Sequence, residues 1–533
     1  MTHWWRDAAI YQIYPRSFQD TSGDGIGDLA GVRHRLGYLR DLGVGAIWLS
    51  PIFKSPMADF GYDIADYRAI DPLFGDMDEF QRLLDDTHRH GLKLLLDFVP
   101  NHTSDEHPWF VESRSSRDNP KRDWYIWHDP APDGGPPNNW RSNFGGSAWT
   151  WDEATGQYFY HAFLEKQPDL NWRNPQVREA MYDVLRFWLD KGVDGFRIDV
   201  IWHLAKDTRF RDNPPNPAWE PDQPEIQRFQ QRYSADQPYV HEIIAELREV
   251  VDRYVDRLLI GEIYLPLDRL VTYYGESNKG LHLPFNFQLI QAPWRTEVIR
   301  ELIEEYETAL PEGGWPNWVL SNHDKPRIAA RVGEAQARVA AMLLLTLRGT
   351  PTLYYGDELG IADVHVPHGR IKDPWAKNEP DASFNRDRAR TPMQWSAEAF
   401  GGFSEIEPWL PLTDDYRTRN VDRQRGDDSS MLALHRALLA LRTRFPDLRE
   451  GNYCSIDAGP AVLAYRRGER IAVALNLSAE SASLDLPHEF RQGEVLLRAS
   501  SGESGGGIPS RLGGDEGLII LAPPSGAEGR TRS

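Results

Sequence analysis

An α/β fold follows from three features of this 533-residue sequence. Short apolar runs alternate with stretches of helical periodicity, ionisable residues recur at the ends of those runs, and the apolar period changes to two near the C-terminus. Strand, helix and strand in succession with short connections make a parallel sheet with helical crossovers. Eight such runs predict a (β/α)8 TIM barrel, with an inserted domain after strand 3 and a C-terminal antiparallel β-domain. The length exceeds one ordinary core and suits a large barrel with additions.

The first strand is read at Ala9 to Ile13, followed by a polar loop from Asp20 to Asp28. Leu29, Val32, Leu36, Leu39 and Leu42 recur at helical spacing, and Gly43 closes that helix. Ala46 to Leu49 is the second strand. Phe80, Leu83, Leu84 and Thr87 mark a helix stopped by Gly91, and Leu92 to Leu96 is a third strand ending on Asp97. From Asn101 to Asn171 the rhythm breaks in a stretch rich in Trp, Pro, Gly and Asn, which reads as an insertion. It resumes at Asn174-Pro175, a helix start with Pro at the first helical position. Strands four to eight are read at Gly195 to Ile198, Leu258 to Ile260, His282 to Phe287, Trp318 to Leu320 and Thr352 to Tyr355.

A polar loop runs from Ile361 to Asn385, and Met431, Leu434, Leu438, Leu441 and Phe445 give a last amphipathic helix. Val462 to Tyr465, Ile471 to Leu477 and Leu518 to Leu521 then read as strands of a small antiparallel domain. The expected units are barrel over 1–100, insertion over 101–171, barrel again over 172–450, β-domain over 451–523 and a disordered tail over 524–533.

The formal net charge of −20 argues against nucleic-acid or anionic-membrane partners, which need clustered Lys and Arg. No apolar run reaches about 18 residues, so no membrane span is expected. A single cysteine, Cys454, fits a reducing compartment, and the N-terminus shows no charged start with an apolar core after it. The expectation is a cytoplasmic protein, monomer or homodimer. Its 19 Trp suit sugar rings as well as cores.

Gly195 to Val200 carries Arg197 and Asp199 on one face of a strand and Phe196 and Ile198 on the other. Such a strand is an ion-paired structural element or opens into a polar cleft. The second reading gains because Asp97, Asp199, Glu262, His323 and Asp324 all fall at or just past strand ends, where barrel active sites sit. Paired carboxylates with neighbouring His and Arg suit glycoside hydrolysis. No nucleophile motif, phosphate loop or zinc spacing competes with that chemistry, and no organic cofactor is expected.

Four segments, Asp97-Phe-Val-Pro-Asn-His102, Gly195-Phe-Arg-Ile-Asp199, Gly261-Glu262 and Ser321-Asn-His-Asp324, resemble the signature regions of the α-amylase superfamily, glycoside hydrolase family 13. Gln167-Pro-Asp-Leu-Asn171 is similar to a fifth region of its oligo-1,6-glucosidase and α-glucosidase branch. The resemblance implies Asp199 as nucleophile, Glu262 as general acid/base and Asp324 as a third carboxylate holding sugar hydroxyls. It implies Arg197 as the group that orients Asp199, His102 and His323 as hydroxyl ligands, and Tyr62 as the aromatic platform, with Asp97 in the same substrate-binding set. Asp59 resembles the acid that pairs with an arginine to close the pocket in exo-acting members. Arg386 is the favoured partner and Arg390 the fallback. Phe60 stands where the branch usually has Asn, which is expected to alter the pocket wall. In that branch Val200 tends to accompany action on α-1,6 linkages.

Asp20, Asp24 and Asp28, with Ser22 between them, offer oxygens at alternate positions suited to a hard cation such as Ca²⁺ or Mg²⁺, or to a metal-free polar turn. The branch implies a structural metal here, with Asp20, Ser22, Asp24, Ile26 and Asp28 as its residues, although Ser22 replaces the usual Asn. Small α-glucosides are the implied substrates, with hydroxyl compounds as transglucosylation acceptors. A sucrose- or trehalose-type isomerase or glucosyltransferase on the same scaffold, and a non-catalytic homologue, are the alternatives.

Overall fold

The computed structural model describes residues 3–221, 223–378 and 385–523. Its central sheet contains β1 (Ile10–Ile13), β2 (Ala46–Leu49), β3 (Lys93–Phe98), β4 (Gly195–Ile198), β5 (Leu258–Gly261), β6 (Leu283–Pro284), β7 (Asn317–Val319) and β8 (Thr350–Tyr354). All pair in parallel, in the order β6-β5-β4-β3-β2-β1-β8-β7. A parallel bridge between Asn286 and Trp318 joins the two ends and closes the barrel.

The strands bury both faces, which explains why they read as nearly continuous apolar runs. Alternate residues separate into two cores. Ile10, Ala46, Trp48, Leu95, Leu258 and Ile260 pack together inside the barrel, whereas Tyr11, Ile47, Leu94, Leu96, Phe196 and Ile198 pack beneath the surrounding helices. Parity then assigns Gln12, Asp97, Arg197, Asp199 and Glu262 to the inner face, and the register sets Arg197 beside Asp97 on one side and Ile260 on the other.

Element boundaries differ from expectation in three instructive places. The helix expected from Leu29 to Leu42 is two, Leu29–His34 and Leu36–Leu42. Arg35 departs from helical geometry, its guanidinium bonding Gln19 at 2.8 Å and lying 4.0 Å over the Trp395 ring. Strand β3 runs past Asp97 to Phe98, so Asp97 lies inside the strand. Strand β6 is shorter than the expected run, although Leu283, Phe285 and Phe287 all join the inner core and Phe285 N still donates to the Gly261 carbonyl at 2.8 Å.

The stretch after β3 forms a helix, Pro108–Ser115, and a three-stranded antiparallel sheet of Trp127–His128, Gln157–Tyr160 and Trp149–Asp152. A second long excursion, which no sequence pattern marks, follows β4 and returns at the helix Val240–Val251. The C-terminal sheet is antiparallel, in the order Tyr453–Ile456, Val462–Arg467, Ile471–Asn476, Gly517–Leu521 and Glu494–Arg498. Buried Arg467, in its second strand, ties it to the barrel by donating to the Thr346 carbonyl. The expected tail and residues 379–384 of the Ile361-to-Asn385 loop lie outside the described residues. Among the described residues, no helix is long and apolar enough to cross a membrane.

Candidate active site

A cavity of about 710 Å³ opens at the C-terminal ends of the barrel strands, with Asp199, Glu262, Asp324, Asp59, Tyr62 and Arg386 among the residues on its wall. Its floor is built on Arg197, which is fully buried. One guanidinium nitrogen donates to Asp97 at 2.8 Å and to Asp199 at 2.7 Å, and the other contacts Glu262 at 2.8 Å. The plane of Arg197 lies 5.1 Å over the Trp48 ring, and Trp48 Nε1 donates to Asp97 at 3.2 Å.

Three carboxylates around one cation cannot all ionise cheaply in a buried space. Burial, opposed by Arg197, pushes Asp97 up to about 6. Burial also raises Asp199 and Glu262, against the pull of Arg197. Asp324 differs: burial opposes its ionisation, but the guanidinium groups of Arg390 and Arg386 hold it well below the usual carboxylate range.

The two histidines are neutral, held at about 3 by burial. Gln12 lies 2.8 Å from His323 Nδ1, which assigns the proton to Nε2, 2.7 Å from the Tyr62 hydroxyl. Tyr62 passes the chain on by donating to Asp97 at 3.2 Å, with its ring stacked on His323 at 3°. Asn101 faces His102 Nδ1 at 3.1 Å, and His102 Nε2 donates to the Tyr62 carbonyl at 3.1 Å.

One end of the cavity is walled by charge. Asp59, 3% exposed, accepts from Arg386 at 2.8 Å and from Gln167 at 3.3 Å. The favoured partner is therefore the one found, and the pair is buried. Arg390, the fallback, instead donates to Asp324 at 2.8 Å and to the His323 carbonyl at 2.7 Å. Phe60 is absent from the cavity wall, contrary to expectation. At φ 51° it turns toward Trp409 and Arg16. Val200 lies on the wall directly after Asp199.

Sequence reasoning missed several partners. Asp373 accepts from Arg386 at 2.7 and 3.0 Å and fixes the guanidinium that meets Asp59. Lys206, buried, joins Asp169 at 2.5 Å and Asn101 at 2.9 Å behind His102. Gln12 and Trp48 could have been found, because each is a polar-tipped residue at inward parity in an otherwise apolar strand. No pattern marked Asp373 or Lys206.

The proposed metal loop is knit from within. Asp20 accepts from the N–H groups of Gly23 and Gly25 and from Ser404, and Asp28 accepts from the N–H groups of Thr21, Ser22 and Gly31. Asp24, exposed, accepts from the N–H of Ile26. Oxygen donors suit a hard cation, yet among the described residues no three His, Cys, Asp or Glu side chains converge as a metal cage.

A cluster of acidic side chains in a cavity at the mouth of a (β/α)8 barrel is the placement of a barrel enzyme's active site. The profile of the alpha amylase catalytic domain matches residues 12–451, and the chain belongs to the α-amylase family of glycoside hydrolases. A "Probable alpha-glucosidase" of Rhizobium meliloti (strain 1021) is 43% identical over 505 residues, 91% of each chain. An "Oligo-1,6-glucosidase" of Halalkalibacterium halodurans is 40% identical over 539 residues, 94% of this chain and 95% of the relative. The crystal structure of an alpha-glucosyl transfer enzyme superposes with a TM-score of 0.93 at 42% identity, covering 98% of this chain and all of that one.

Replacing Arg197 by Met leaves the carboxyl cluster without its cation. Breaking a buried ionic network costs about 3–5 kcal/mol. The cluster's pKa values then rise in the folded state only, so stability falls as pH rises. Urea unfolding should show the variant's deficit larger at pH 7 than at pH 5.

Proposed function

We propose that this glycoside hydrolase is an exo-acting, retaining α-glucosidase that removes terminal glucose from short α-linked glucosides. The observation that carries the reading is the pair Asp199 and Glu262, both held on the Arg197 guanidinium at 2.7 and 2.8 Å, at a cavity that Asp59 and Arg386 close at one end. Closely spaced carboxyl groups leave no room for an inverting water between them and favour a covalent intermediate.

In this reading Asp199, ionised against Arg197, forms a bond to the anomeric carbon as the glycosidic bond breaks, and Glu262 gives its proton to the departing oxygen. Glu262, now ionised, takes a proton from water, whose oxygen displaces Asp199 and frees glucose. Asp324, His102 and His323 bind hydroxyls of the glucose, and Tyr62 lies beneath its ring. The short Asp59–Arg386 contact blocks a longer chain on the non-reducing side.

Transfer to an alcohol or second sugar in place of water is the second reading, supported by the likeness to a glucosyl transfer enzyme. An isomerase would use the same carboxyl groups, and its products on a panel of α-linked disaccharides would separate it from a hydrolase. Ca²⁺, or Mg²⁺, at the Asp20-to-Asp28 loop belongs to the same proposal, supported by the three Asp in its sequence.

Asp199→Asn should lower turnover of a nitrophenyl α-glucoside by about 10³-fold or more, and Glu262→Gln by about 10²–10⁴-fold, with circular dichroism unchanged. Normal turnover by Asp199→Asn would end the mechanism. For the metal, chelator dialysis followed by elemental analysis should leave one bound ion or lower the melting temperature. No ion and identical melting with and without Ca²⁺ would remove it.

A further inference from the structure

Val200 has φ 37° and ψ 44°, the left-handed region that a β-branched side chain seldom enters. Strain of this kind persists only where the surroundings enforce it. Here they do. The chain leaves β4 and turns at once into the short helix Ile201–His203, with His203 N donating to the Val200 carbonyl at 2.9 Å.

The turn changes what the Val200 N–H can reach. Glu262 N donates to the Ile198 carbonyl at 2.9 Å, so a parallel ladder that ran one step further would hand the Val200 N–H to the Glu262 carbonyl. Because the chain departs, that N–H meets the Glu262 side chain instead, donating to Oε2 at 2.9 Å. Arg197 Nη2 contacts the same oxygen at 2.8 Å. Oε2 is thus engaged by two donors, which leaves Oε1 as the oxygen free of them.

We propose that Val200 is a positioning residue whose left-handed turn fixes its N–H on Oε2 of Glu262, so that the proton destined for the leaving oxygen resides on Oε1. This rests on the reading of Glu262 as the general acid/base and assigns Val200 a role through its backbone. Glu262 also faces Arg197, Asp199 and Asp97 from the neighbouring strands, and Asp324, Lys325 and Tyr264 from the loops after β7 and β5. Burial raises its carboxyl, and the Val200 N–H counters part of that rise.

The test compares V200A with V200G, both lacking the branched side chain. V200A keeps a Cβ at positive φ but loses the branch whose packing holds the turn, so it should lose about tenfold in kcat against V200G, which adopts the turn without strain, with KM within about threefold. The alkaline limb of V200A should move up by about half a pH unit or more, because Glu262 loses an N–H that favours its ionised form. V200G should also melt above V200A, the reverse of the order at an ordinary position, since glycine alone accepts a positive φ without strain. V200T, which keeps the branch and the turn, should retain the wild-type limb. Equal kcat and equal pH profiles for V200G and V200A, or a lower melting temperature for V200G, would overturn the proposal. Retained turnover in Glu262→Gln would instead remove the reading of Glu262, which the backbone comparison does not address.

Discussion

One buried guanidinium shared among three carboxyl groups is the constraint on which the rest of this structure turns. Arg197 has no route to solvent, so its charge is tolerable only where Asp97, Asp199 and Glu262 converge on it. That convergence requires β3, β4 and β5 to be parallel neighbours in one register, with the charged residues at inner parity. A slip of one residue in β4 would aim Arg197 and Asp199 at the helical layer and bring Phe196 and Ile198 inward. Barrel register and site chemistry are therefore a single requirement.

The sequence announced this layout because both faces of a barrel strand are buried, so a charge within or at the end of an apolar run has few structural excuses. Asp97, Asp199, Glu262, His323 and Asp324 stood out for that reason, and resemblance to the α-amylase family then separated their roles. Asp59 and Arg386 came only through the resemblance, since residues so far apart carry no local signal of pairing. Asp373 and Lys206 stayed invisible because each acts through a tertiary contact from an irregular segment. The split at Arg35 was hidden by a helical period that continues through it. The short β6 has a similar cause: the inward alternation of Leu283, Phe285 and Phe287 continues past the end of the strand.

The cavity wall differs from one end to the other. At one end Asp59, Arg386 and Asp373 form a closed ionic wall, while the other side mixes Trp202, Tyr264 and Leu265 with Asp236 and Arg269, and the proposed reaction places there whatever glucose is attached to. Hydrolysis and transfer then differ only in what occupies that side when the intermediate breaks down. In the proposed mechanism the paired carboxyl groups serve both, because the proton that Glu262 gives away in the first step it recovers in the second, from water or from an alcohol.

The anomeric form of the first glucose released tests the account most directly. Proton NMR during early turnover of maltose or a nitrophenyl α-glucoside resolves the two anomers before they equilibrate. Two displacements at Asp199 predict that the α-anomer appears first and β-glucose grows only at the rate of mutarotation. Initial release of β-glucose would mean a single displacement by water, and would contradict Asp199 as the nucleophile paired with Glu262.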